Sequence, residues 1–83
     1  MRLRFYGDDR PMLGKDALEC LQFHCHGDHS PEGRRGDVDG VMNRIADTFK
    51  LDETFKSCTT LEERAVMFVM TAINAGLIVF EKG

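Results

Sequence analysis

Apolar positions recur along the chain with two different periods, and the switches between them mark out the elements. Arg2-Leu3-Arg4-Phe5-Tyr6 alternates, which sets Leu3 and Phe5 on one face and Arg2, Arg4 and Tyr6 on the other, the pattern of a half-buried strand. Gly7-Asp8-Asp9-Arg10-Pro11 ends it. From Met12 to His24, the residues Leu13, Ala17, Cys20, Leu21 and His24 fall at helical spacing, so a first amphipathic helix is predicted there, with His24 in its last turn. Residues 25–36 carry three glycines, a proline, two arginines and a serine with no apolar period, and are predicted to form one long flexible loop.

Asp37 suits the N-cap of a second helix in which Val38, Val41, Met42, Ile45 and Phe49 recur every three or four residues. The Leu51 to Cys58 connection has room for a helical turn of its own. Thr60-Leu61-Glu62-Glu63 then reads as a capping box that opens a third helix running through Ala75. That helix is apolar nearly all round, so it is expected to be covered on most sides. Gly76 stands where a left-handed C-cap belongs, and Leu77-Ile78-Val79-Phe80 follows as a short strand.

The expected fold is therefore α+β: one compact domain over residues 1–83, in the order β-α-α-α-β. The two terminal strands pair in a small sheet and the three helices pack on one of its faces. Periodicity does not decide between parallel and antiparallel pairing. The expected core is Leu3, Phe5, Val41, Ile45, Phe49, Val66, Phe68, Val69, Met70, Ile73, Ile78 and Phe80, the apolar stripes of all the elements.

Composition changes this picture in three ways. With 11 basic and 14 acidic residues the net charge is −3, which gives no general attraction to nucleic acid or to an anionic membrane. The longest apolar stretch, Ala65 to Phe80, is interrupted by Thr71, Asn74 and Gly76 and falls short of a membrane span. Three cysteines, an odd number, together with an N-terminus that reads directly as structure rather than as a signal peptide, point to a reducing cytoplasmic setting.

The candidate chemistry is concentrated between Gln22 and Asp37. His24-Cys25-His26-Gly27-Asp28-His29 contains all three histidines of the chain and resembles, letter for letter, the H-x-H-x-D-H ligand string of the metallo-β-lactamase family. The resemblance implies a dinuclear metal site held by His24, His26, Asp28 and His29. In that family the string follows a buried strand and distant loops add further ligands. Here a helix is expected before it and no fourth histidine exists, so the hydrolase activity is not carried over. A mononuclear zinc site would instead use Cys20, His24 and His29 with Cys58. Against this, no paired Cys-x-x-Cys knuckle is present, and the simpler expectation is that His24 satisfies the end of its helix while His26 and His29 are solvated. Cys20 and Cys58 are then expected as small core residues and Cys25 as a loop thiol.

No catalytic constellation is apparent. Cys25 and Cys58 lack an orienting carboxylate, and Gly33, Gly36 and Gly40 have neither the strand nor the lysine of a phosphate loop. Asn43 to Cys58 has the spacing of a helix-turn-helix, but Asp37 to Arg64 holds seven acidic and four basic residues, a poor match to phosphates. The expected function is a small cytoplasmic protein-binding or regulatory module, of the inhibitor or adaptor type that mobile elements encode, without catalysis, cofactor or nucleic acid. Its expected partner is a protein or a second copy, as a homodimer through the C-terminal strand edge. Arg34 and Arg35 in the loop and Leu77 and Val79 on the strand are the candidate partner-binding residues, the last two because they are expected to face water. The alternative is a small zinc-binding protein using the His24–His29 loop with Cys20 or Cys58.

Overall fold

The computed structural model describes residues 1–27 and 30–81. In chain order the elements are β1 (Arg2–Phe5), β2 (Met12–Leu13), α1 (Ala17–Gly27), α2 (Pro31–Arg34) and α3 (Val38–Phe49). A 3₁₀ turn (Thr54–Ser57), α4 (Leu61–Asn74) and β3 (Ile78–Glu81) complete the order. The fold is α+β, and the terminal strands do pair.

The sheet has the order β2-β1-β3 and is antiparallel throughout. Leu3, at its centre, stands opposite Met12 on one side and Phe80 on the other. Residues opposite one another share a face, so Leu3, Phe5, Met12, Ile78 and Phe80 point one way and Arg2, Arg4, Leu13, Val79 and Glu81 the other. The first set meets the helices. The second remains open, and Glu81 lies 3.5 Å from Arg2 and 3.4 Å from Arg4 across it. Beneath the sheet α1 packs on β2 and α4 on β3, the two helices pack on each other, and α3 closes the far side against α1, α2 and α4.

Local chemistry explains where the helices begin and end. Asp16 accepts from the Glu19 amide at 2.9 Å and Glu19 reaches back to the Lys15 amide at 3.0 Å, which together start α1. Asp37 caps α3 by accepting from Gly40, and Lys50 ends it with φ 55°, so that the Leu51 amide turns back to the Ala46 carbonyl. Thr60 accepts from the Glu63 amide at 3.2 Å, while the Glu63 carboxylate takes the Thr60 hydroxyl rather than its amide, so only half of the expected capping box forms. Gly76, with φ 78°, ends α4 and aims the chain into β3.

Four expectations are corrected. Met12 and Leu13 pair with β1 instead of starting a helix. Pro11 just before them needs no ladder hydrogen bond, and α1 begins five residues later, at Ala17. Residues 25–36 are not one long loop: Cys25, His26 and Gly27 continue α1, and Ser30 caps the short α2 by accepting from Gly33 at 3.1 Å. Cys25 is accordingly a buried helix residue and not a loop thiol.

The core differs as well. Leu3, Val41, Ile45, Phe68, Val69 and Ile78 are buried as expected, whereas Phe49, Val66, Met70 and Phe80 are 56, 46, 53 and 53 % exposed. Their places are taken by Met12, Leu21, Met42, Leu51 and Phe55, all buried, with Phe55 edge-on to Phe68 at 5.3 Å between ring centroids. Phe55 reaches the core from the 3₁₀ turn. That turn is set by Asp52, whose carboxylate accepts from the Thr54 hydroxyl and amide and is held below its ordinary range by them.

Candidate functional site

The residues proposed as metal ligands occupy different surroundings. Cys20 lies fully buried in α1, its thiol directed at the Met1 carbonyl at 3.8 Å, and burial pushes its pKa up, away from the thiolate that a metal requires. His24 is on the same helix, three residues before its end, with its ring 4.9 Å from that of Phe5. His26 is exposed in the last turn. Cys58 is half-buried just ahead of α4, where its carbonyl accepts from Arg64 at 3.0 Å. His29 lies outside the described residues, as does Asp28. Among the described residues no three His, Cys, Asp or Glu side chains converge on a point that could hold a metal.

Arg34 and Arg35 stand exposed at the end of α2, where Arg35 lies 3.9 Å from Asp37, the cap of α3. Arg34 thus ends a short helix and Arg35 is its C-cap. A stronger anchor is Arg64, whose guanidinium holds Asp39 of α3 through two bonds of 2.8 and 3.0 Å while donating to the Cys58 and Thr59 carbonyls. This pairing keeps Arg64 charged and fixes one flank of α4 to α3.

The other candidate, the β3 edge, is resolved by the ladder. Tyr6 donates to the Leu77 carbonyl at 2.8 Å, which makes Tyr6 and Leu77 a hydrogen-bonded pair. Such pairs alternate along an antiparallel ladder, so Arg4 with Val79 and Arg2 with Glu81 are hydrogen-bonded too. The amides and carbonyls of Ile78 and Phe80 consequently point away from β1. On the other side of β1, Gly14 donates to the Met1 carbonyl, which directs Leu3 to β2 and agrees with this alternation. Leu77 is not the water-facing residue expected: it is half-buried against the core, and its own amide is bound to the Ala72 carbonyl. Val79 does reach the open face, but its main chain is committed to Arg4.

No strand covers the outer side of β3 among the described residues. Monomeric proteins usually blunt such an edge with lysine, proline or a bulge. Residues 77–81 contain neither lysine nor proline, and their one charge, Glu81, is turned to the arginines of β1.

A cleft of about 1090 Å³ opens at the end of the sheet, between Tyr6–Arg10, the C-terminal half of α3 and the turn into β3. Sequence patterning does not announce it, because its lining comes from four separate segments. His24, Phe5, Arg44, Phe49, Leu51 and Leu77 contribute to its walls, together with Tyr6, Asp8, Asp9 and Arg10. Among the described residues the lining supplies an imidazole, two guanidiniums, two carboxylates and a phenol, but no serine, threonine or cysteine nucleophile. Comparison with known protein families, curated proteins and solved structures finds no match to this chain.

Proposed function

We propose that this chain is a protein-binding or regulatory module of the cytoplasm that receives a partner strand along the outer edge of β3. It acts by occupying a surface rather than by catalysis. The observation that carries this reading is the row of outward main-chain groups at Ile78 and Phe80 on an edge without lysine or proline. In strand addition the main-chain hydrogen bonds supply affinity and alternate side chains supply specificity. A partner strand would therefore meet Phe80 on the helix side and Val79 on the open side.

Three further features support the reading. The net charge of −3 does not draw the chain to nucleic acid or to an anionic bilayer. Among the described residues no helix is long and apolar enough to cross a membrane. Cys20, Cys25 and Cys58 form no disulfide among the described residues, the state that a reducing compartment maintains.

Photo-crosslinking in cells tests the proposal. A photoreactive phenylalanine analogue in place of Phe80 should give discrete protein adducts, whereas the same group in place of Lys15, 80 % exposed and remote from β3 in the chain, should give none. Absence of adducts at Phe80, or equal labelling at both positions, would overturn it.

A further inference from the structure

The geometry points to a second copy of this chain as the strand added at β3, in antiparallel register with the two-fold axis passing through Val79. The inference rests on the strand-addition reading above and names its partner. Within β3 only Ile78 and Phe80 direct amides and carbonyls outward. A two-fold axis at Val79 sets Ile78 opposite Phe80 of the partner subunit, and Phe80 opposite the partner's Ile78. All four outward amides then find carbonyls. Centring the axis on Ile78 instead would bring Phe80 against the partner's Gly76, a turn residue with φ 78° whose amide already binds the Ile73 carbonyl.

Side chains agree with this register. On the open face Val79 meets the partner's Val79 as a non-hydrogen-bonded pair, with Cα atoms about 4.5 Å apart. Glu81 comes opposite the partner's Leu77 and not the partner's Glu81, so the only charge on the strand meets no like charge and keeps its arginines. On the helix side the half-exposed Phe80 is covered by the partner's Ile78.

The helix beneath favours a second copy over a lone peptide. At ~100° per residue, Val66, Met70 and Ile73 fall on the flank of α4 turned away from Arg64, which ties the opposite flank to α3. That flank is exposed at Val66 and Met70, and the helix that carries it is the one packed on β3, the edge strand. A bare strand would bury Phe80 and leave Val66 and Met70 in water. A two-fold copy brings both apolar flanks together under a continuous six-stranded sheet.

Sedimentation of the unmodified chain at about 100 µM should give a species near twice 9.4 kDa. Hydrogen exchange should show the Ile78 and Phe80 amides protected only at concentrations where that species forms. In a Cys58→Ser background, Val79→Cys should link two chains under oxidised glutathione, and Leu13→Cys on the opposite sheet edge should not. If Val79→Cys does not fold, the exchange measurement on the unmodified chain decides. A monomer at several hundred micromolar would overturn the second copy, while foreign adducts from the Phe80 position would leave strand addition standing. A dimer in which the Ile78 and Phe80 amides exchange as fast as in the monomer would overturn both.

Discussion

Two phenylalanines with the same apparent role in the sequence have different ones in the fold. Phe68 and Phe49 both lie on apolar stripes, yet Phe68 is fully buried against Phe55 whereas Phe49, the last residue of α3, borders the cleft. Lys50 ends α3 in a left-handed turn directly after Phe49, and it is Leu51 and Phe55 beyond that turn that are buried. Phe68→Ala should cost about 3–5 kcal/mol in urea denaturation, and Phe49→Ala less than about 1 kcal/mol. Equal losses would contradict the packing described. Cys20 offers a test by pH. Burial raises its folded pKa above the ordinary value, so the neutral thiol is favoured by folding and this contribution is complete below the unfolded pKa. As pH rises through the unfolded and then the folded value the contribution is lost, because the unfolded chain releases its proton first. Stability of the unmodified chain should therefore fall more steeply above about pH 9 than that of Cys20→Ala, when each is referred to its own value at pH 7.

At the scale of elements, what the sequence made legible was whatever local chemistry alone decides. Asp37, Thr60 and Gly76 mark helix ends by side-chain acceptors and a left-handed turn, and all three stand where they were expected. The outer strands were legible from alternation. The rest depends on contacts made at a distance: Met12 and Leu13 are a strand only because β1 lies beside them, and Cys25 is helical because its burial outweighs the glycine and histidines around it. The Asp16 and Glu19 cap was a readable signal that the helical spacing beginning at Met12 obscured. The edge-facing groups of β3 follow from ladder alternation, which cannot be assigned before the pairing is known. Gly14 joins β2 to α1 at close quarters, since a Cβ there would lie 2.5 Å from the Glu19 Cβ and 2.7 Å from the Cys20 amide nitrogen. Gly14→Ala should cost about 1–3 kcal/mol by forcing the strand and helix apart. A neutral result in thermal melts would mean the junction is looser than described.

For the molecule as a whole, β1 is the one strand among the described residues with a neighbour on each side, and the sheet they form hangs on it. Its longer partnership is with β3, so deleting residues 78–83 should leave a chain that does not melt cooperatively, whereas Phe80→Pro should keep the far-UV circular dichroism of the fold, because the amide it removes points outward. Val79→Pro, which removes an amide directed at Arg4, should unfold the domain. Survival of Val79→Pro with intact melting would reverse the assignment of inward and outward residues along the strand. The same connectivity bears on how the protein is made. Phe5 and Ile78, partners in the ladder, are 73 residues apart. At roughly 5–20 residues per second of synthesis, the nascent chain holds the centre of its sheet without that partner for about 4 to 15 s. Helices form in microseconds, so α1, α3 and α4 have time to appear and collapse on one another while Leu3 and Phe5 still wait. The sheet is thus a zipper whose second row of teeth arrives long after the first, and a chain arrested before β3 is a substrate for chaperones rather than a smaller version of the domain.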